Sequence, residues 1–592
     1  MSNHEFIQII LFIGLLVLLS PLLGRYMATV FEGKPTWLFP VLGPIERFLY
    51  LASGISRNEE MSWTKYLWAL ITFNIAGCVL TIVQMMTQSW LPLNPQHLPN
   101  VPFALALNTA VSFMTNTNWQ AYSGEATMSY LTQMSGLAVH NFTSAATGIA
   151  VFLALTRGLI RRQSSTLGNF WVDLVRSTLY VLLPLSLVMS ILLVSQGVIQ
   201  NFKPYDSAKV TAPWTTQVPK LDAAGQPVKD TQGNVVTETQ TVTEQVIPQG
   251  PVASQVAIKE LGSNGGGYFG QNSSHPFENP TPFSNFLEMF AILLIPSSLV
   301  FTFGYLVGNV RQGIAIWAAM AILFAVFFAI SWHAEVQSNP VTTLTASMEG
   351  KEQRFGVMNS VLWAVSTTGT SNGSVNAMHD SLSPIAGLMT LLNLQLGCVV
   401  FGGDGAGMYG MLMYVILTVF LAGLMVGRTP EYLGKKIEAP EIRWAVVAVI
   451  VPSSLILVGS AIATVAPAGL AGLGNNGPHG LSEILYAFSS CAANNGSAFA
   501  GLSVNTNFYN YLLSMVMFLG RFVVIIPCLA IAGSMAAKKI SPASSGTFPT
   551  TGPIFIGLLI SVLLIVVALT FFPVLCLGPI VEQLLMNAGR SF

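Results

Sequence analysis

The chain has 592 residues, 52% of them hydrophobic and only 8% charged, with a mean hydropathy of +0.61. A soluble domain carries about 25% charged residues, so this chain cannot clothe a water-facing surface of its size and is expected to be integral to a membrane. Its 25 basic and 25 acidic residues cancel, which leaves no basic excess for nucleic acid. The cysteines Cys78, Cys398, Cys491, Cys528 and Cys576 form no CxxC or CxxH pair, so neither a disulfide framework nor a zinc site is indicated.

The N-terminal run lacks a basic leader and a small-residue cleavage site, so it reads as a retained transmembrane helix rather than a signal peptide. Apolar runs long enough to cross the hydrocarbon fall near 5–24, 67–89, 136–156, 178–198, 286–308, 313–333, 385–427, 444–466, 511–537 and 553–575. The run 385–427 is too long for one straight crossing. Basic residues collect in alternate loops: Arg25, Lys34, Arg47, Arg57 and Lys65; then Arg157, Arg161 and Arg162; then Arg311; then Arg428, Lys435, Lys436 and Arg443; then Lys538 and Lys539. The positive-inside rule makes these loops cytoplasmic and puts both termini outside. The polar stretch 200–250 is then an extracytoplasmic insertion, with a hairpin expected around Gln232-Gly233-Asn234.

The remaining outside loops each carry a half-length apolar segment and then a short polar bend: "LALNTAVSFMTNTNWQ", "SQVAIKELGSNGGG", "SVLWAVSTTGTSNG" and "SEILYAFSSCAANNG". Aligned by their ends they give Thr117-Asn118-Trp119, Ser263-Asn264-Gly265, Ser371-Asn372-Gly373 and Asn494-Asn495-Gly496. This reads as a fourfold repeat of helix, half-helix, loop and helix. Non-helical backbone at membrane depth is tolerated only where protein buries it or where it lines a watery cavity. Gly and Asn accept the left-handed conformations that turn carbonyls to one side. Four such bends around one axis would offer carbonyl oxygens in place of the hydration shell of a monovalent cation. Phe113, Met114, Trp363, Tyr486 and Phe488 are expected to pack these bends from behind.

Two other motifs are weaker. Gly369 to Gly373 fits the Gly-x-Ser-x-Gly pattern around Ser371, with His379 and Asp380 nearby, but its flanks are membrane segments rather than the strand-turn-helix of a hydrolase. Gly405-Ala-Gly407-Met-Tyr-Gly410 fits GxGxxG, yet it interrupts an apolar run and lacks a βαβ setting. With Gly402, Gly403, Gly405, Gly407 and Gly410, that stretch cannot stay helical. It is either a gate loop beneath the bends or a packing kink, and its Asp404 is either solvated in the vestibule or an ion-attracting charge. Arg521 lies deep in an apolar span, which calls for an ion pair or a pore-facing barrier role. Arg428 is a second pore-charge candidate or a positive loop anchor. Gln120 is placed at the pore mouth or in a loop hydrogen bond. No GxxxxGK[ST] and no Asp-Lys-Thr-Gly motif is present, so ATP chemistry would belong to another chain.

"ALNTAVSFMTNTNWQAYSGE", "SNGGGYFGQNSSHPFENP", "MEGKEQRFGV", "GRTPEYLGKKIE", "NNGPHGLSEILYA", "NNGSAFAGL" and "GRFVVIIP" resemble the potassium-binding, channel-like subunits of bacterial Kdp potassium-transporting ATPases. The resemblance spans nearly the whole chain. It implies an all-α polytopic fold of the superfamily of K⁺ transporters, with four M1-P-M2 repeats and an extra transmembrane helix at each end. The repeats are expected at 66–160, 170–311, 312–430 and 443–539, with extra helices at 1–30 and 552–576. It implies a K⁺ selectivity filter at Thr117, Asn118, Ser263, Asn264, Gly265, Ser371, Asn372, Gly373, Asn494, Asn495 and Gly496. It further implies residence in the bacterial inner membrane and three partners: a P-type ATPase catalytic subunit that uses ATP, a single-span accessory subunit and a small peptide subunit. Family members often carry Glu where Cys398 stands, so Asp404, six residues on, is the candidate replacement. An autonomous cation channel or symporter of the same superfamily is the alternative.

Overall fold

The computed structural model describes residues 3–220, 236–341, 346–542 and 547–590. Helices dominate because apolar surroundings require backbone groups to be bonded within their own segment. Among the described residues ten helices are long and apolar enough to cross a membrane, and each overlaps one of the ten apolar runs read from the sequence.

Four times, a long helix leads to a half-helix, a bend and a second long helix. The sets are Trp63–Met86, Phe103–Met114 and Thr132–Ile160; Phe170–Ser195, Val252–Leu261 and Pro282–Leu306; Val310–Val336, Gly356–Gly369 and a broken third member; and Ala439–Val465, Gly477–Ala492 and Asn507–Ala537. The broken member consists of Pro384–Gln395 and Ala406–Val426, joined through Leu396 to Gly405. In that join Gly397, Cys398, Phe401, Gly402 and Gly405 all have positive φ, so the helical ladder cannot continue. His4–Phe31 and Pro553–Asn587 flank the four sets.

Long helices of a membrane protein associate through small residues that let backbones approach. A Cβ on Gly24 of the N-terminal helix would lie 2.7 Å from the Ser298 carbonyl oxygen, and Ser20 Oγ meets Ser297 Oγ at 2.8 Å beside it. The outward side of the same helix leaves Phe6, Ile7, Leu18 and Leu22 exposed, as suits contact with lipid. At the opposite end Lys435 donates to the carbonyls of Gly158 (2.9 Å), Met535 (2.6 Å) and Arg161. One ammonium thereby gathers carbonyls from the ends of two helices, where backbone acceptors run short of donors.

One element escaped the sequence reading. Within the loop between the first two long helices, Phe39–Ala52 is a helix. Its buried Glu46 accepts from Tyr50 (2.9 Å), Arg176 Nε (3.0 Å) and Tyr180 (2.8 Å), which fastens the loop to the second set. Gly43, Glu46 and Tyr50 share its buried face at helical spacing; Pro40 and Pro44 disguise the pattern. The polar insertion forms a two-stranded antiparallel ribbon, β1 (Asp206–Pro219) with β2 (Thr237–Ile247). The turn expected at Gln232-Gly233-Asn234 lies outside the described residues.

The C-terminal segment is tied down by charge. His479, at the start of the fourth half-helix, meets Asp380 Oδ1 through Nε2 at 2.9 Å and Glu582 Oε1 through Nδ1 at 2.7 Å. Burial alone would lower the imidazole pKa, but the two carboxylates outweigh it and raise the pKa to about 10. A group raised on folding adds stability that is complete below its unfolded value, near 6.5, and is lost as pH climbs through about 10. His479→Gln should therefore cost on the order of 2 kcal/mol below pH 6.5, after discounting for solvent screening, with the deficit fading toward pH 10. Thermal unfolding of the parent and variant across that pH range checks this; a pH-independent difference would mean that the charge is not what matters.

Candidate functional site

The four bends meet. Backbone hydrogen bonds at the ends of the half-helices fix which residues are equivalent. Asn116 N, Ser263 N and Asn494 N donate to Phe113, Glu260 and Cys491; Thr117 N, Asn264 N and Asn495 N donate to Ser112, Lys259 and Ser490. Each donor lies three residues after its acceptor in the first group and five in the second. Gly373 N and Gly496 N reach the hydroxyls of Thr367 (2.9 Å) and Ser490 (3.0 Å), each six residues back. The inner, middle and outer positions are therefore Asn116-Thr117-Asn118, Ser263-Asn264-Gly265, Ser371-Asn372-Gly373 and Asn494-Asn495-Gly496.

This corrects the register expected for the first segment by one residue. Thr117 occupies the middle position, Asn118 the outer one, and Asn116, absent from the sequence-based set, the inner one. The contacts between the first two segments agree. Asn116 Nδ2 donates to Ser263 O (2.9 Å), Asn118 Nδ2 to Gly265 O (3.1 Å) and Gln120 Nε2 to Gly267 O (2.9 Å), each pair 147 residues apart. The signal was available in the sequence as two asparagines flanking Thr117, but nothing local chooses between them. Asn116 (φ 62°) and Asn118 (φ 54°) both adopt the left-handed region, which Asn tolerates better than most residues.

The segments close into a ring. A Cβ on Gly265 would fall 1.7 Å from Asn372 O, one on Gly373 2.1 Å from Asn495 O, and one on Gly496 1.9 Å from Thr117 O. Each outer glycine thus sits against the middle carbonyl of the next segment, and the fourth segment returns to the first. Side chains stitch the same seams. Asn264 Nδ2 donates to Asn116 Oδ1 (2.6 Å), Asn372 Nδ2 to Glu260 Oε2 (3.0 Å), and Asn495 Nδ2 to the carbonyls of Thr367 and Thr370 (both 2.7 Å). At the last seam the middle residue is Thr117, and Asn494 Nδ2 reaches its Oγ1 instead (3.0 Å). The aromatic residues stand behind as expected: Trp363 Nε1 holds Ser374 O at 2.8 Å and Tyr486 OH meets Ser497 Oγ at 2.9 Å.

The middle carbonyls of Thr117, Asn264, Asn372 and Asn495 accept no hydrogen bond among the described residues. Buried carbonyls are almost always paired. Four orphans at one register, in residues at most 1% exposed, form an oxygen-rich locus suited to a dehydrated cation. The outer residues Asn118, Gly373 and Gly496 line a cavity of about 590 Å³. The inner residues Ser371 and Asn494 line a separate cavity of about 80 Å³ that also includes Gln395 and Arg521.

The other sequence candidates fall into place around the ring. Gln120 lines the outer cavity, but its amide is held by Gly267 O and Gly267 N in a loop hydrogen-bond pair. The bend Gly402 to Gly407 runs directly under the third segment: Gly402 N donates to Gly369 O (3.3 Å), and a Cβ on Gly403 would lie 2.8 Å from Ser371 Cβ. Asp404 is not solvated in the vestibule; it is 1% exposed, and neither carboxylate oxygen has a partner among the described residues. Cys398 is fully buried, with Sγ 3.6 Å from Asn495 Nδ2. Arg521 joins no ion pair among the described residues and donates to Ser144 O at 3.4 Å. Arg428 is elsewhere: it follows Ala406–Val426 and donates to Thr547 O (3.3 Å), away from both cavities. That placement fits a loop anchor and corrects its assignment as a pore charge. Ser371 has no triad, since His379 Nδ1 meets Tyr486 OH (2.8 Å) and Asp380 meets His479.

Comparison with known proteins agrees with this architecture. The family model for the potassium-transporting ATPase A subunit matches residues 10–584. Three similar relatives, each named potassium-transporting ATPase potassium-binding subunit, come from Methylococcus capsulatus, Geotalea uraniireducens and Ralstonia pickettii. The first is 53% identical, over 100% of this chain and 100% of its own; the second is 53% identical, over 99% and 100%; the third is 54% identical, over 98% and 100%. The chain belongs to the potassium-transporting ATPase A subunit family.

Proposed function

We propose that the ring is a selectivity filter that strips and holds K⁺ arriving from the extracytoplasmic side. The single observation that carries this reading is the closed ring with four unpaired carbonyls at one register. Peptide carbonyls hold a dehydrated alkali cation through partial charges, so the ion binds without a full carboxylate and can leave. The large outer cavity is the entry. The small inner cavity leads the ion sideways between the third and fourth repeats, past Gln395, whose amide atoms have no partners among the described residues. From there a P-type ATPase subunit, which alone uses ATP, takes the ion, and the single-span and small peptide subunits complete the assembly. The bend at Gly402–Gly407 is the gate under the filter, and Arg521 is a fixed positive charge that keeps K⁺ from slipping through uncoupled. In this reading the repeats occupy 66–160, 170–311, 312–430 and 443–539 in the bacterial inner membrane, with both termini outside.

Gly265→Asp and Gly373→Asp should each raise the K⁺ concentration for half-maximal ATPase activity of the assembled complex by about tenfold or more and reduce discrimination against Na⁺, because the new side chain collides with a middle carbonyl. Titrating the purified complex with K⁺, Rb⁺ and Na⁺ measures both, and wild-type affinity in both variants would sink the filter reading. Arg521→Gln should instead leave half-activation by K⁺ within about twofold while allowing K⁺ to leak through the complex in proteoliposomes without ATP. Lost affinity without a leak would refute the barrier role.

A further inference from the structure

Behind the second filter segment lies a charge cluster built on two positions that carry no charge in the other three segments. The residue six before the outer position is Ser112, Thr367 or Ser490 in those segments and Lys259 in this one. The next residue is Phe113, Thr368 or Cys491 there and Glu260 here. Lys259 Nζ donates to Gly266 O (2.8 Å), the same carbonyl position that Ser112 Oγ holds at Trp119 O (2.9 Å) in the first segment. It also pairs with Glu278 (2.7 Å) and Glu260 (3.3 Å). Glu260 in turn accepts from Asn372 (3.0 Å) and Ser374 (2.9 Å) of the third filter segment. Ser273 Oγ bridges onward to Glu288 at 2.7 Å, and Glu288 Oε1 has no partner among the described residues.

Lys259, Glu260, Glu278 and Glu288 are all 0% exposed, so three carboxyl groups share one ammonium out of reach of water. The nearby cation Arg354 does not correct the imbalance. Its guanidinium spends its donors on the carbonyls of Ser274 and Asn279 and on Glu352. Excess buried negative charge is costly unless something positive compensates it. The ring that Glu260 and Lys259 touch is where a cation would do so.

We infer that this cluster sets the affinity of the filter for monovalent cations: negative charge on Glu260 and Glu288 favours a cation in the ring, a cation there favours that charge in return, and Lys259 is a positioning residue that aims the Gly266 carbonyl. The inference rests on the filter reading above. A buried charge acts at a distance and equally on all alkali ions, so it changes affinity without changing selectivity. A misplaced carbonyl changes selectivity, because the fit to each ion depends on geometry.

The test is K⁺- and Rb⁺-stimulated ATPase activity of the assembled complex. Glu260→Gln and Glu288→Gln should each raise the half-activating concentration of both ions about tenfold, the effect of removing one unit charge at low effective dielectric. In Glu288→Gln, whose carboxyl touches no ring residue, the Rb⁺ to K⁺ ratio and the maximal rate should stay within about twofold of the parent, since a charge away from the ring acts on both ions alike. Lys259→Met should shift the Rb⁺ to K⁺ ratio. Unchanged half-activation in both glutamine variants, or a fall in maximal rate alone, overturns the inference. If a glutamine variant does not assemble, Glu288→Asp decides, because it keeps the charge: half-activation within about twofold supports the inference and a tenfold rise overturns it. Wild-type affinity in Gly373→Asp would mean that the filter reading itself has failed. Weakened K⁺ in Gly373→Asp with unaffected glutamine variants would remove only the electrostatic role.

Discussion

The structure turns on a shortage of partners for peptide groups. At membrane depth a bent backbone finds no water, so every carbonyl that leaves a helix must meet protein or face a polar space. Four bends satisfy this together. Three lay an outer glycine against the middle carbonyl of the next segment, the first meets the second through asparagine amides, and asparagine amides or a threonine hydroxyl close the other seams. The middle register is the one at which, among the described residues, all four carbonyls are left unpaired. Remove any segment and the others lose both a wall and their hydrogen-bond partners, which is why half-helices, bends and flanking helices recur as a set.

The ring is fourfold only in backbone. Thr117 stands where the other segments have asparagine, so the seam between the fourth and first segments is closed by Asn494 from the other side. The second segment is braced by an ammonium and carboxylates where the others use hydroxyls and apolar groups. The third set has a broken helix that passes beneath its own bend. A single chain, unlike a homotetramer, can vary each quarter separately. The departures concentrate where an ion would be admitted, held or released.

Much of this was legible in the chain. Spans, half-helices and the glycine-rich break are dictated by hydrocarbon thickness and by the backbone freedom of particular residues, and both act on a few consecutive positions. The polar-Asn-Gly endings pointed to the bends because few residues tolerate positive φ. The first segment was read one residue out because Asn116 and Asn118 both suit that conformation. Arg428 and Arg521 looked alike as basic residues at the edge of or inside apolar runs. Packing put one against the loop at Thr547 and the other beside the inner cavity. The helix around Glu46 was hidden by its prolines, and "AIKELG" shows nothing of the contacts that Lys259 and Glu260 make with the ring.

By itself, then, the sequence determined that this is a membrane protein of ten spans with four interrupted re-entries, since the energy of placing polar backbone and side chains in hydrocarbon is decided residue by residue along the chain. Which oxygens converge, which asparagine closes each seam and which charges lie behind the ring were decided only by the tertiary structure. The contacts across the seams join residues more than a hundred positions apart, and no local preference distinguishes the partner that is met from one that is not.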